Sequence, residues 1–200
     1  FSLRSESSWG VGDFGDLKKM ADWALITHQK VIQILPINDT TITHTWLDSY
    51  PYNSISIYAF HPMYLDINQL GTIKDKITLT LLNERKEIVN RLPAVDYEAV
   101  NRLKWEYIHL IFKQEGKDIL DTKEFKNFFT ANKEWLQPYA AFSYLRDTYQ
   151  TANFREWPAY TKYDAQEIEN LCRPDSEQYS SIALYYYVQY QLHEQLSAAA

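Results

Sequence analysis

The spacing of apolar residues along the chain predicts mainly helices. From Phe14 to Leu25, apolar side chains recur at intervals of three and four, the period of a helix with one buried face, and Asp13 or Asp16 can cap its start. The same period predicts further helices over residues 81–90, from Tyr97 to Ile111, after a cap at Asp121, from Pro138 to Leu145, over 167–172, and from 175 or 176 to the end.

Three expectations concern the side chains that these helices bury. The last helix should bury one stripe, which consists of Ile182, Tyr186, Gln189, Leu192 and Leu196. In residues 185–187, three consecutive tyrosines, one ring should point inward and the others should lie near a surface. Arg146 should point toward water, because an unpaired charge is costly to bury.

One apolar run has the character of a strand. Residues 31–37 are short and rich in β-branched side chains, which is typical of a strand buried on both faces in a parallel sheet. Residues 64–67 form a second short strand or a turn. A buried strand needs neighbours for its backbone groups, and few other segments qualify. We therefore interpret the chain as the opening of an α/β domain followed by a mostly helical insertion.

A polar and aromatic loop over residues 38–56 follows the predicted strand. Loops of this length are usually functional or disordered, and the tryptophan and tyrosines of this one argue against disorder. Ligands of parallel α/β folds bind beyond the C-terminal ends of the strands, which places the loop at a binding mouth. Aromatic faces beside carboxylates and amides suit a neutral, polyhydroxylated ligand better than a phosphate.

Several residues of this loop are candidates for contact with such a ligand. Asp39 and Asp48 can accept hydrogen bonds from sugar hydroxyls, and Trp46 and Tyr52 offer flat faces for stacking on a sugar ring. Structural alternatives stay open: Asp39 as a cap of the loop, Asp48 as a turn-forming residue and Trp46 as an anchor. Tyr52, flanked by a proline and polar residues, is the favoured contact, whereas Tyr50 is expected to be structural.

Composition and charge exclude several classes of protein. The 200 residues are 46% hydrophobic and 23% charged, as expected for one domain, and the first residue is Phe1, which favours a piece of a longer protein. A net charge of -6 argues against a general nucleic-acid binder, and no apolar stretch approaches the roughly 20 residues of a membrane span. The single cysteine, Cys172, and scattered histidines favour no metal site.

Four segments together resemble a known enzyme family. They are residues 7–17, 35–40, 46–54 and 59–65, and the most distinctive part is Trp46-Leu47-Asp48-Ser49-Tyr50-Pro51-Tyr52. In combination they resemble the start of the catalytic domain of 4-α-glucanotransferases, which are the amylomaltases or disproportionating enzymes of glycoside hydrolase family 77. The form of the third segment is most similar to the branch of plant cytosolic enzymes and their bacterial relatives.

The resemblance implies a fragment of a (β/α)8 TIM barrel with a large, mostly α-helical insertion. Residues 1–65 would begin the barrel and include the active-site loop 38–56, residues 66–173 would form the inserted subdomain, and residues 174–200 would return to the barrel. The implied activity is the transfer of α-1,4-glucan segments between maltooligosaccharides or glycogen-like glucans, by a retaining double displacement in the cytoplasm. It implies no metal or organic cofactor, no nucleic-acid or membrane partner, and further sequence that completes the barrel.

The resemblance also bears on single residues. Tyr52 corresponds to the tyrosine of the family's Ser-Pro-Tyr motif, which stacks near the subsite beside the cleaved bond, and Ser49 corresponds to its serine, here separated from Pro51 by Tyr50. No segment matches the motifs of the family's nucleophile, acid or stabilising aspartate, so no catalytic residue is assigned and the chain alone is expected to be inactive. The alternatives are a non-catalytic carbohydrate-binding module and a helical interaction domain.

Overall fold

A computed structural model describes residues 3–200 of the chain, and in that range the fold is helical. The helices are α1 (Phe14–Ile26), α2 (Lys76–Asn90), α3 (Tyr97–Asp121), α4 (Lys123–Tyr149), α5 (Ala165–Leu171) and α6 (Tyr179–Ala199). Short 3-10 turns cover Trp46–Ser49, Pro62–Tyr64, Ile67–Gln69 and Phe154–Glu156. Residues 64–67 thus form turns, the second of the two predicted possibilities.

The strand predicted over residues 31–37 is not formed, and this prediction is wrong for the structure described. No β-strand occurs within residues 3–200, where one antiparallel bridge joins Asn38 to Phe60. Val31 is 82% exposed and Leu35 is 58% exposed. The segment has no neighbouring strand to satisfy its backbone groups, and without one an apolar run has no reason to become a strand. The structure of residues 3–200 therefore contains no sheet that would correspond to the predicted part of a TIM barrel.

The predicted helices exist, but several of their boundaries differ from the prediction: α2 begins at Lys76 and not at residue 81, α3 continues beyond Ile111, and α6 begins at Tyr179. Asp13 caps α1 in a capping box with Asp16, as expected. Asp121, expected to cap a helix, is the last residue of α3, and the Thr122 hydroxyl caps α4 by accepting a hydrogen bond from Phe125 N at 3.2 Å. Pro138 lies inside α4 and opens no new helix, because packing of α4 against α6 offsets the backbone hydrogen bond that proline cannot donate.

Helix α6 lies at the centre of the molecule and joins its two apolar cores. Four of the five residues of its predicted stripe, Ile182, Tyr186, Gln189 and Leu192, are buried, and the fifth, Leu196, is half-buried. The expectation of one inward ring among residues 185–187 is wrong, because all three tyrosines are buried. Since α3, α4 and α1 all pack on α6, the helix is covered on more than one face.

Each of the two apolar cores combines segments that are distant from one another in the sequence. One core combines residues 9–14 and 63–73 with α2, α3 and one side of α6, and the other combines α4, α5, Trp157 and the opposite side of α6. The subdomain boundaries at residues 65 and 173 stay a prediction. Within residues 3–200, no helix is long and apolar enough to cross a membrane.

Candidate functional site

The loop over residues 38–56 leaves the helical part of the molecule and returns to it at nearly the same point. Asp39 N donates to Ala59 O at 2.9 Å, and Ile55 N donates to Asp39 O at 2.8 Å, so the two ends of the loop lie side by side. At its tip, the Thr45 side chain caps the 3-10 turn Trp46–Ser49. The loop is therefore an ordered structure with a defined outer face.

Asp39 is buried at the base of the loop. Its Oδ1 accepts hydrogen bonds from Thr41 N at 2.9 Å and from Thr41 Oγ1 at 2.6 Å, and its Oδ2 accepts one from the Tyr139 hydroxyl of α4 at 2.7 Å. Gln189 of α6 approaches the same hydroxyl, with 3.2 Å between Nε2 and the Tyr139 oxygen. Asp39 thus ties the loop to two helices, and its contact with a ligand stays a prediction.

Asp48 is also buried and folds the loop back on itself. Its carboxylate accepts hydrogen bonds from Thr43 N at 2.9 Å, His44 N at 2.6 Å and Thr43 Oγ1 at 3.1 Å. This geometry corresponds to the turn-forming alternative. A charged acceptor bound by two backbone amides is a strong local constraint, so Asp48 shapes the tip of the loop. Direct contact between Asp48 and a ligand stays a prediction.

The aromatic side chains of the loop point outward. Trp46 is 66% exposed, and Tyr50 and Tyr52 are each 61% exposed, so Tyr50 is not the packed structural residue that was expected. The Tyr50 and Tyr52 rings lie 5.5 Å apart with an angle of 57° between their planes. Ser49 is half-buried between them and Trp46 along the chain. We call Trp46, Tyr50 and Tyr52 the aromatic platform.

A polar network under the loop connects it to α3, α4 and α6. Arg146 of α4 donates from Nη1 to Thr41 O at 2.8 Å and from Nε to Asp147 Oδ1 at 2.7 Å. The expectation that Arg146 faces water is wrong, because its charge is paired and its polar atoms are hydrogen bonded in the interior. The partners of Arg146 in the loop are about one hundred residues away in sequence, so no local pattern could reveal them.

Asp147 is the centre of this network. His44 Nε2 lies 2.7 Å from Asp147 Oδ1, and the Tyr185 hydroxyl of α6 donates to Oδ2 at 2.6 Å. Burial by itself would raise the pKa of Asp147, but the hydrogen bonds from His44 and Arg146 hold that pKa well below its usual range. The carboxylate is therefore ionised at neutral pH and fixes His44, which occupies a left-handed backbone conformation at φ 59°.

The site as described is suited to binding and contains no assigned reaction centre. Exposed aromatic faces and a half-buried hydroxyl lie on a loop whose charged groups are turned inward and satisfied. Among residues 3–200, no group of three or more His, Cys, Asp or Glu side chains is arranged to hold a metal ion. This arrangement can stack on apolar ring faces and exchange hydrogen bonds with hydroxyl groups.

Comparison with known proteins links this chain to one enzyme family. The family model described as 4-alpha-glucanotransferase, glycoside hydrolase family 77, matches residues 1–200. The chain is 40% identical to 4-alpha-glucanotransferase DPE2 of Oryza sativa subsp. japonica over 205 residues, which is 100% of this chain and 21% of the rice protein.

Bacterial relatives show the same relation. The chain is 32% identical to a 4-alpha-glucanotransferase of Chlamydia caviae and 33% identical to one of Chlamydia trachomatis serovar D; each match covers 98% of this chain and 36% of the relative. The chain thus spans between about a fifth and about a third of the length of these proteins. Because the family model matches it from end to end, the chain belongs to the 4-alpha-glucanotransferase family, glycoside hydrolase family 77.

Proposed function

We propose that the chain is the N-terminal part of the catalytic domain of a 4-α-glucanotransferase and binds the α-1,4-glucan substrate. The observation that carries this proposal is the aromatic platform, three large rings left exposed on an ordered loop of a chain that belongs to this family. Trp46 and Tyr52 stack on glucose rings, and Ser49 offers a hydroxyl beside them. Asp39 and Asp48 serve the site mainly by holding the loop in shape.

The bond-breaking groups of the proposed enzyme belong to further sequence. A retaining transfer requires a carboxylate nucleophile and a carboxylic acid close together, and no residue of this chain is assigned to either role. The relatives are three to five times as long as the matched part, which leaves room for both. The proposed cytoplasmic location rests on the resemblance to the plant and bacterial enzymes.

A patch of exposed apolar residues supports the proposal that further sequence packs against this chain. We call it the apolar face; it consists of Trp23, Leu25, Ile26, Val31, Ile34 and Leu35. Trp23 and Leu25 belong to the stripe predicted to be buried, yet Leu25 is 76% exposed. These exposed residues are concentrated in one stretch of the chain, and exposed apolar patches mark surfaces that bind another surface. We propose that the rest of the barrel covers this face and gives residues 31–37 the neighbours that a strand needs.

The activity is tested by incubation of the longer polypeptide that contains this chain with maltotriose. We expect glucose together with maltooligosaccharides longer than maltotriose, which is the product pattern of disproportionation. The 200-residue chain alone is expected to give no products. Sustained turnover by the purified 200-residue chain would contradict the proposed division of roles, and glucose release without longer products would indicate a hydrolase.

The binding role is tested at Tyr52. We expect Tyr52→Ala to weaken the binding of maltoheptaose by about three- to tenfold, the amount that one aromatic contact supplies. Tyr163→Ala is the matched control, because Tyr163 is a tyrosine that is 71% exposed and lies outside the loop. Isothermal titration gives both affinities. Equal affinities in the two variants would exclude the platform as the binding surface, and binding without turnover in the longer polypeptide would favour a non-catalytic carbohydrate-binding module.

A further inference from the structure

A groove whose lining includes no residue of the aromatic platform lies between α3 and α4, and α6 forms its floor. Its volume is about 1190 Å³. The α3 side runs from His109 to Asp121, a length of about 18 Å at the rise of an α-helix. Buried residues form the floor, among them Ala183, Leu184 and Tyr185. The groove is therefore long, open to solvent, and large enough for a chain of several sugar rings.

The lining of the groove combines aromatic rings with hydroxyl groups. Half-buried rings form its walls: Phe112, Phe129, Tyr144 and Tyr179. Exposed hydroxyl side chains lie along its rim: Thr130, Thr148, Ser180 and Ser181. A pyranose ring presents C–H groups on its faces and hydroxyl groups around its edge. Walls that stack and a rim that hydrogen bonds are complementary to that pattern.

The charges around the groove do not favour an ionic ligand. Lysines and aspartates are interspersed along it: Lys113, Lys117, Lys126, Asp121 and Asp147. One of these lysines, Lys126, is already paired with Asp121 at 3.4 Å. A polyanion or an acidic peptide would meet carboxylates as well as lysines. A neutral polyhydroxylated chain faces no such repulsion and can use both as hydrogen-bonding groups.

Two residues that line the groove also help to hold the loop that carries the platform. Asp147 and Tyr185 line one end of the groove, and the same two side chains hold His44 of the loop through Asp147 Oδ1 and Oδ2. Trp46 is two residues beyond His44, so their Cα atoms lie at most about 7.6 Å apart. The end of the groove is therefore linked through His44 to the loop segment that contains Trp46.

We propose that this groove is an extension site that binds the part of an α-1,4-glucan chain lying beyond the aromatic platform. The inference rests on the proposed function and adds to it a preference for long substrates. Short oligosaccharides occupy the platform alone, whereas longer glucans also fill the groove. The helical region between residues 97 and 149 then measures chain length, in addition to holding the loop.

Ser181→Trp tests the proposal because it fills the groove without removal of a core side chain. Ser181 is exposed at the rim, and we expect its replacement to weaken the binding of maltodecaose by roughly tenfold while the affinity for maltotriose changes by less than about twofold. The control is Lys133→Trp, which places the same ring on an exposed position of α4 outside the groove. Affinity and kcat/KM are measured for both glucans in the longer polypeptide that contains this chain.

A second variant, Tyr179→Ala, removes one ring from the wall and should lower the affinity for maltodecaose in the same selective way. Thermal unfolding of each variant shows whether it is folded. Equal losses for short and long glucans, or no loss for either, would overturn the extension site; the second result would mean that other protein covers the groove. If the unaltered polypeptide acts on no glucan at all, the proposed function fails as well, so the two failures are distinguishable.

Discussion

At Gly10, backbone conformation and core packing both constrain the sequence. Its φ is +85°, and an added Cβ would lie 2.6 Å from Val100 Cγ2 and 2.9 Å from Val89 Cγ2. We expect Gly10→Ala to lower the free energy of unfolding by about 2–4 kcal/mol, since left-handed strain and overpacking of the core both act against it. Urea denaturation measures the change.

Gly71→Ala is the control for this prediction. Its Cβ would meet the carboxylate of Glu115, the far end of a flexible side chain that can move aside. We expect Gly71→Ala to lower the free energy of unfolding by less than about 1 kcal/mol. A loss of stability as large as that of Gly10→Ala would show that the N-terminal turn is not the constraint described.

Asp13 and Lys104 form a buried pair at the start of α1. Lys104 Nζ lies 3.8 Å from Asp13 Oδ2 and donates to Met63 O at 2.7 Å and Leu65 O at 2.8 Å. Burial raises the pKa of Asp13 to about 6, although the charge of Lys104 acts in the opposite direction. The folded protein therefore holds this proton more tightly than the unfolded chain, in which the pKa is close to 3.9.

This difference in pKa predicts a pH dependence of stability. The contribution of Asp13 is fully present below pH 4 and is lost as the pH rises through 6. Asp13→Asn keeps a good capping residue and removes the titration, so its stability relative to the unaltered protein should increase by up to roughly 3 kcal/mol between pH 4 and pH 7. Urea denaturation across that range measures the difference; parallel curves would contradict the assignment.

Between elements, the main connection is the network that joins the loop of residues 38–56 to α4. We expect Arg146→Met to lower the free energy of unfolding by about 2–4 kcal/mol, because it removes the hydrogen bond to Thr41 O and leaves Asp147 without its guanidinium partner. The amides of Thr43 and His44 should also exchange faster with solvent. Denaturation and hydrogen exchange measure the two effects.

Lys133→Met is the matched control for the loop network. It removes an ion pair on the same helix, but Lys133 and Glu169 are both about half exposed, with 3.3 Å between Nζ and Oε1. Pairs of this kind contribute between about 0 and 1 kcal/mol. Similar losses in Arg146→Met and Lys133→Met would show that the network does not hold the loop.

At the scale of the whole molecule, the apolar face predicts a difference between the chain alone and the longer polypeptide. In the isolated chain, Leu25→Gln and Val31→Gln should each change stability by less than about 0.5 kcal/mol, because both side chains are exposed. In the longer polypeptide, each of these two substitutions should lower the free energy of unfolding by about 1–3 kcal/mol, because the covering segment loses an apolar contact. Ile77→Gln, on the exposed side of α2, should be close to neutral in both.

Comparison of the helices with the predicted strand shows what local pattern can predict. The start of α1 at Asp13 and the buried stripe of α6 were predictable, since capping and a 3.6-residue period act within a few neighbouring residues. Residues 31–37 have the composition of a strand, but a strand requires partners that a local pattern does not contain. The continuous helix through Pro138 depends in the same way on α6 packed beside it.

The candidate site also has some features that local sequence predicts and others that depend on tertiary contacts. The composition of the loop over residues 38–56 predicts a sugar-binding role and favours Tyr52 as a contact, and both stay predictions. Sequence alone could not decide that Asp39 and Asp48 face inward, that Tyr50 faces outward, or that Arg146 and Asp147 lie under the loop. The burial of Asp39 and the place of Arg146 depend on contacts between residues about one hundred positions apart.

The amino-acid sequence by itself determined that most of the chain is helical, which residues cap the first helix, and to which family the chain is similar, because these features are carried by short-range patterns. Tertiary structure decided which charges are buried, which rings are exposed and which apolar run has neighbours. The physical reason is that burial and hydrogen bonding of a side chain are set by whatever packs beside it, and packing brings together segments that the linear sequence keeps apart.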